Sequence, residues 1–335
     1  MNPNAAPMLE ARGLEKVFRR SDGGQVRAVD GIDLEIRRGE IFSLLGPNGA
    51  GKTTTISMIS GLIQPTRGEV SLGGFSMARQ PLQAKRLLGV VPQEIALYPS
   101  LSAQQNLEFF GRMYGMGGAA LMKRIDDVLE FLDLAERRRE RIDTYSGGMK
   151  RRINLGVGLL HQPQLIFMDE PTVGIDPQSR RRILDLVLEL RAQHGMTVLY
   201  TTHLMEEAQE LSDRVAIIDH GKIIAQGTQG DLIQQVGAED RLLLGVGDQA
   251  VEPAVLEKIR TRLAGVSQAA CTPSSDSAAG HRAGTVTISV QRGRKALPEL
   301  LRLMDESGLT IQSVEVREPD LEAVFLRLTG RALRD

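Results

Sequence analysis

Gly46-Pro47-Asn48-Gly49-Ala50-Gly51-Lys52-Thr53 is the stretch on which the reading of the fold turns. It follows the apolar run 41–45 and opens the segment 52–60, which Gly61 closes, so it reads as strand, glycine-rich loop, helix. The spacing fits a phosphate-binding loop. Gly46 and Gly51 stand where the backbone must approach phosphate without a Cβ in the way, and the loop amides and helix N-terminus point at an anion. Lys52 supplies a charge to the outer phosphates, the hydroxyl of Thr53 can ligate magnesium, and Thr54 completes the nucleotide-binding run. A glycine-rich turn with an incidental lysine is the plainer alternative, and it leaves the strand before and the helix after without a purpose.

Outward from that loop, residues 9–230 alternate short β-branched or apolar runs with helical patterns, which argues for α/β layering over a largely parallel sheet. The wholly apolar run 165–168 is expected of a central strand buried on both faces, and it ends on Asp169 and Glu170. Beside a phosphate loop, Asp169 can hold a magnesium shell and Glu170 can polarise a water for attack on the outermost phosphorus; alone, the pair would read equally as a solvated turn. The strand 197–201 delivers His203, either a donor to the terminal phosphate or an ordinary surface or core histidine.

From 99 to 141 the pattern turns helical, with Leu107, Phe110, Ile125, Val128, Leu129 and Leu132 at near-helical spacings, and reads as an insertion over about 99–160. Within it, Tyr145-Ser146-Gly147-Gly148-Met149 precedes a helical segment. A hydroxyl, bare amides and a helix end make a second anion site, or else a helix-capping turn. One nucleotide has one outermost phosphate, so two such sites in a chain point to two chains sharing nucleotides face to face. Asp176-Pro177 then starts a helix with Ile183, Leu184, Val187, Leu188 and Leu190 as its buried stripe and Gly195 at its end.

Composition bounds the rest. The 335 residues fit two domains rather than one small core. With 41 Lys plus Arg against 42 Asp plus Glu, the chain has no bulk basic attraction for nucleic acid, and none is expected as a partner. The single cysteine, Cys271, excludes an intramolecular disulfide framework and a multi-cysteine metal site. No stretch approaches the roughly 20 apolar residues of a membrane-spanning helix, and residues 1–10 lack the parts of a signal peptide. A cytosolic chain that needs a partner for any membrane work is expected. The arginine runs 137–139 and 180–182 read as solvated helix faces, with a lipid-headgroup or partner contact as the alternative for the first.

After about residue 232 the runs follow the order strand, helix, strand, strand, helix, strand, which suits a small ferredoxin-like unit, with 272–284 as a mobile Ser-, Ala- and Gly-rich loop and 321–328 as a last helix. Such a unit could dimerise the chain, hold a partner, bind a regulatory ligand or serve as a packing appendage.

Taken together and in this order, the phosphate loop, Gln93, 145–149, 165–170, Asp176 and His203 resemble the nucleotide-binding domain of the ATP-binding-cassette family over about residues 9–230. The resemblance implies ATP and Mg2+ as cofactors and a head-to-tail homodimer closing over two ATP molecules. It further implies that Phe18 stacks on adenine and that Gln93 couples the magnesium site, with Thr53 and Asp169, to a membrane partner. Glu170 resembles the general base, Asp176 the dimer-interface aspartate and His203 the switch histidine. The signature departs from the commoner Leu-Ser-Gly-Gly-Gln at Tyr145 and Met149, and the interface loop reads Val173-Gly174-Ile175-Asp176. With the tail Glu318-Pro319-Asp320-Leu321-Glu322-Ala323-Val324-Phe325, these departures resemble the drug- and polymer-exporting subgroup, whose membrane permease is usually a separate chain.

The expected architecture is therefore α/β, a P-loop nucleotide-binding domain with mixed sheet and helical insertion over 1–232, then a small α+β ferredoxin-like domain over 233–335. The expected function is an ATP-hydrolysing motor subunit at the cytoplasmic face of the cell membrane. Its rivals are a soluble cassette ATPase acting on a macromolecular complex such as DNA or the ribosome, and a module that senses ATP without turnover.

Overall fold

The computed structural model describes residues 6–330 other than 20, 22, 238, 248, 250, 274–283, 292 and 318. Most of the loop 272–284, and Glu318 of the tail motif, therefore lie outside the described residues. Contacts divide the chain into two compact units that part between Gln229 and Gly230, where the sequence reading put the change at 232.

The first unit holds two sheets rather than one. An antiparallel sheet runs in the order β2 (Gln25–Ile36), β1 (Leu9–Arg19), β4 (Arg67–Leu72), β5 (Phe75–Ser76). A six-stranded sheet runs in the order β10 (Lys222–Gly227), β9 (Arg214–Asp219), β3 (Ile41–Leu45), β8 (Thr197–Thr202), β7 (Leu165–Asp169), β6 (Leu88–Val91). Every pairing in it is parallel except β10 with β9. The second half of β2 alternates buried and exposed residues, the period-2 mark of a strand covered on one face, whereas β3 and β7 are buried at every position.

Alternation along β7 shows how the core is layered. Leu165 and Phe167 join Phe42, Leu44, Ile56 and Ile59 in a cluster shared with Leu14, Ile36 and Leu72 of the antiparallel sheet. Ile166 and Met168 face the other way, into a cluster with Leu107, Ile125, Leu129, Ile153, Val187 and Leu190. Each such side chain stabilises the fold by about 2 kcal/mol through burial.

The helices of this unit are α1 (Lys52–Ile59), α2 (Pro81–Arg86), α3 (Ala103–Met113), α4 (Gly118–Phe131), α5 (Gly147–Leu159), α6 (Pro177–His194) and α7 (Met205–Leu211). Ser102 caps α3 in a reciprocal box with Gln105. Asp176 caps α6, whose buried stripe takes Leu186 where Leu188 was expected, and Gly195 ends it in the left-handed conformation.

At the boundary lies α8 (Gln229–Val236), followed by β11 (Asp240–Gly247), α9 (Pro253–Arg262), β12 (Val266–Pro273), β13 (Gly284–Val290), α10 (Gly293–Glu306), β14 (Ser313–Arg317) and α11 (Leu321–Thr329). The sheet order is β12-β13-β11-β14 with every neighbouring pair antiparallel, a split βαββαβ arrangement. Leu242, Leu244, Val286 and Ile288 meet Ile259, Leu300 and Met304 in its core. Cys271 is a partly buried free thiol. Among the described residues no helix is long and apolar enough to cross a membrane.

Candidate functional site

Four adjacent parallel strands, β3, β8, β7 and β6, end on one edge of the six-stranded sheet. The phosphate loop follows β3, His203 follows β8, Asp169 and Glu170 come at the end of β7, and Gln93 stands two residues beyond β6. Ligands bind at such carboxyl edges in open α/β sheets. The register pairs Leu45 with Thr202 and Asp169 with Thr201, so the loop, the histidine and the carboxylates emerge side by side.

Lys52 is the first residue of α1 and is buried. Its Nζ donates to Gly46 O at 2.7 Å and Pro47 O at 3.1 Å, and lies 2.9 Å from Glu170 Oε1. An ammonium has three protons, and each has an acceptor here. Glu170 Oε2 is 3.2 Å from His203 Nδ1. Glu170 sits in the left-handed region, φ 43°, a conformation costing about 1–2 kcal/mol for such a side chain. Its amide donates to Thr201 O at 3.2 Å and Thr201 Oγ1 at 3.0 Å. The Thr201 hydroxyl in turn donates to Asp169 Oδ1 at 2.7 Å. One threonine thus sets both carboxylates. Sequence reading missed it, since its place depends on the register of β8 against β7.

Two glycines of the loop owe their identity to neighbouring strands as well as to phosphate. A Cβ at Gly46 would lie 2.3 Å from Ile218 O of β9, and one at Gly51, φ 109°, would lie 2.6 Å from Ala28 O of β2. The loop is wedged between those strands, and neither position accepts a side chain.

A cleft of about 410 Å³ opens over these groups. Asn48, Gly49, Gly51, Lys52, Thr53, Thr54, Gln93, Glu170 and His203 line it, joined by Val173 of the interface loop and by Ala28, which the sequence does not single out. Asp169 is held beneath by Thr201. Gly46, Pro47 and Ala50 form the body of the loop without lining the cleft, and neither Asp176, residues 145–149 nor Phe18 lines it. Phe18 is 41% exposed, with the Lys16 ammonium 5.2 Å from its ring centroid.

The segment 145–149 is built as the N-terminus of α5. The Ser146 hydroxyl accepts from Met149 N at 3.3 Å, while Ser146 and Gly147 stay exposed. Gly148 is pressed on the first turn of α6, where a Cβ would lie 2.0 Å from Ser179 Oγ and 2.3 Å from Ser179 Cβ. Ser179 N donates to Asp176 Oδ1 at 2.9 Å, and that bond holds the Asp176 carboxyl below its ordinary pKa. Gly148→Ala is expected to lower stability by about 1–3 kcal/mol through overpacking, whereas Gly147→Ala, whose Cβ would meet only Ile175 Cγ2 at 3.9 Å, should leave the melting temperature nearly unchanged. Thermal unfolding of both variants checks this, and equal shifts would count against it.

The two departures in this segment share one anchor. Tyr145, buried with its hydroxyl pKa pushed up by desolvation, donates to Arg137 O at 2.7 Å. Arg137 Nη1 donates to Met149 Sδ at 3.3 Å, and its guanidinium lies 5.7 Å from the Tyr145 ring centroid. The reading of the arginine runs as plain solvated faces needs correcting. Arg138 pairs with Asp126, Arg182 with Asp133 and Glu189, Arg181 with Asp185 and Glu210, and Arg180 with the buried Glu207 of α7. Asp185 and Glu189 sit about one and two turns along the same helix, and the other carboxylates lie on neighbouring elements, so these arginines tie elements together.

An edge that offers an ammonium and helix amides to a phosphate chain, and a carboxylate beside the chain's end, defines a nucleotide-hydrolysing α/β protein. The ABC transporter family model matches residues 29–173. The chain is 45% identical over 328 residues to the linearmycin resistance ATP-binding protein of Bacillus subtilis (strain 168), covering 98% of this chain and 100% of the relative. It is 37% identical over 317 residues to the doxorubicin resistance ATP-binding protein of Mycobacterium tuberculosis, covering 95% and 92%. It is 36% identical over 333 residues to the Nod factor export ATP-binding protein I of Ralstonia nicotianae, covering 99% and 96%. Among solved structures, an ATP-binding cassette seen as a post-hydrolysis dimer with ADP and phosphate matches at TM-score 0.61 and 26% identity, over 66% of this chain and 98% of that one.

The chain belongs to the ABC transporter family. It is an ATPase, the ATP-hydrolysing motor subunit of a membrane exporter. The rival in which a soluble cassette acts on a macromolecular complex is not favoured by these relatives.

Proposed function

We propose that two copies of this chain close head to tail over two ATP molecules and drive a separate transmembrane permease from the cytoplasmic face of the membrane. The observation that carries the dimer is the split of anion-binding parts. Lys52 and Thr53 line the cleft, whereas Ser146 and Gly147, exposed at the start of α5, do not. A second copy would bring them to the outermost phosphate, so affinity gained only in the closed state drives closure. Asp176, exposed and bonded to the amide of Ser179 on which Gly148 packs, then lies at the joint.

Within each half-site, the loop amides and Lys52 hold the phosphates, Glu170 accepts the proton of the attacking water, and His203, whose Nδ1 faces Glu170, keeps Nε2 for the terminal phosphate. Phe18 stacks on the adenine from its exposed position on β1. The residues also fit Mg2+. No cluster of three acidic, His or Cys groups exists among the described residues, and Mg2+ needs none, since one or two carboxylates suffice beside neutral oxygens, phosphate oxygens and water. Thr53, Asp169 and Gln93 would hold it, and when bound it neutralises charge on the phosphates.

Permease docking is supported by the stretch that follows Gln93. Tyr98 and Phe109 are exposed with ring centroids 4.8 Å apart, and Phe110 lies 5.3 Å from Phe109. Tyr98 N donates to Asn106 Oδ1 at 2.8 Å, tying this patch to α3. Rigid exposed aromatics of this kind anchor a partner helix. The relatives named for resistance to linearmycin and doxorubicin and for Nod factor export support an exported small molecule, such as a drug, as the cargo.

The test is affinity purification of Glu170→Gln with ATP from detergent-solubilised native membranes. A stoichiometric membrane protein with several spans is the expected companion. Recovery of the motor dimer alone would remove the permease from this reading, and recovery of monomer would remove the dimer.

A further inference from the structure

Behind Glu170 and His203 lies a buried polar chain that the hydrolysis scheme does not use. Glu207, on the first turn of α7 and 2% exposed, accepts at Oε2 from Tyr200 OH at 3.0 Å and Thr202 Oγ1 at 2.9 Å. Thr202 Oγ1 accepts from Leu204 N at 2.9 Å. The single hydroxyl proton of Thr202 is therefore committed to Glu207, one of its two lone pairs takes the Leu204 amide, and His203 is the residue between. Burial pushes the Tyr200 hydroxyl well up in pKa, so it remains a donor. Thr172, two residues after Glu170, reaches the same hydroxyl at 3.4 Å. Arg180, on the helix that Asp176 caps, approaches Glu207 Oε1 at 3.5 Å as an ion pair, and neither Arg180 Nε nor Glu207 Oε1 has a hydrogen bond.

A carboxylate so deeply buried is costly unless paired and hydrogen-bonded. Here its bonds converge on the backbone turn that aims His203 at Glu170. We propose that Glu207 is a positioning residue for hydrolysis: through the Thr202 hydroxyl it fixes the turn that holds His203 3.2 Å from Glu170, and through Arg180 it couples that turn to the helix capped by Asp176. This rests on the role given to His203 above.

The experiment compares Thr202→Val, which keeps the shape and removes the hydroxyl, with Thr202→Ser, which keeps the hydroxyl, and runs His203→Ala beside them. Steady-state ATPase kinetics and equilibrium binding of a fluorescent ATP analogue are read for each. Thr202→Val is expected to lower kcat about 10- to 30-fold with ATP affinity within about 2-fold, and Thr202→Ser to keep kcat within about 3-fold of the native chain. A Thr202→Val chain with native kcat, or equal losses in both threonine variants, overturns the proposal. If Thr202→Val does not fold, Glu207→Gln takes its place: a lower kcat at unchanged ATP affinity supports the proposal, and native kcat overturns it. Should His203→Ala itself retain native kcat, the role of His203 fails first, and with it the basis for this inference.

Discussion

Glu170→Gln is expected to lower kcat about 1,000-fold while ATP still binds, because a positioned general base contributes on the order of 10²–10⁴ to such a step. The geometry adds a second, less obvious outcome. In the native chain Lys52 Nζ faces Glu170 Oε1 at 2.9 Å, so the phosphates must compete with Glu170 for that ammonium. The amide of glutamine competes less, and ATP affinity should be unchanged or tighter. Phosphate release and equilibrium ATP binding read the two quantities. Brisk turnover by the variant would remove Glu170 from its role, and a large loss of affinity would remove the competition.

Lys52→Ala should cost ATP affinity itself, by about 100-fold, the worth of a charge-assisted contact at a phosphate. It should also cost stability. Glu170 is 6% exposed, and removing one member of a buried pair leaves a charge without compensation, typically worth about 3–5 kcal/mol. The double variant Lys52→Ala with Glu170→Gln should be more stable than Lys52→Ala alone, since the unpaired carboxylate is gone. Chemical unfolding of the four chains forms the cycle that measures this coupling. Strict additivity would show that the contact carries no stability.

Much of this site was legible in the sequence because its chemistry is written in contiguous runs. The phosphate loop needs its glycines, lysine and threonine at fixed spacing, and an apolar strand ending in Asp169-Glu170 announces where that strand must deliver them. Thr201 and Ala28 were not legible. Thr201 matters through the register of β8 on β7, and Ala28 through the way β2 crosses the loop at Gly51, and neither relation leaves a local pattern. The same limit hid the second sheet. Alternating burial in β2 marks a strand covered on one face, but not which sheet it joins. Arg180 illustrates a different limit: a run of three arginines has the look of surface, and only the fold shows that one of them reaches a carboxylate inside.

The anchoring of Tyr145 and Met149 on Arg137 has an evolutionary reading. A drift of Tyr145 to leucine would strand a carbonyl, and a drift of Met149 to glutamine would put an amide where Arg137 now meets sulfur. The two departures are free to drift separately, because the carbonyl that Tyr145 meets is backbone and stays with any residue at 137, whereas only the arginine side chain offers Met149 its donor. A lineage that exchanged Arg137 would thus keep the hydroxyl bond of its tyrosine and lose only the donor to its methionine.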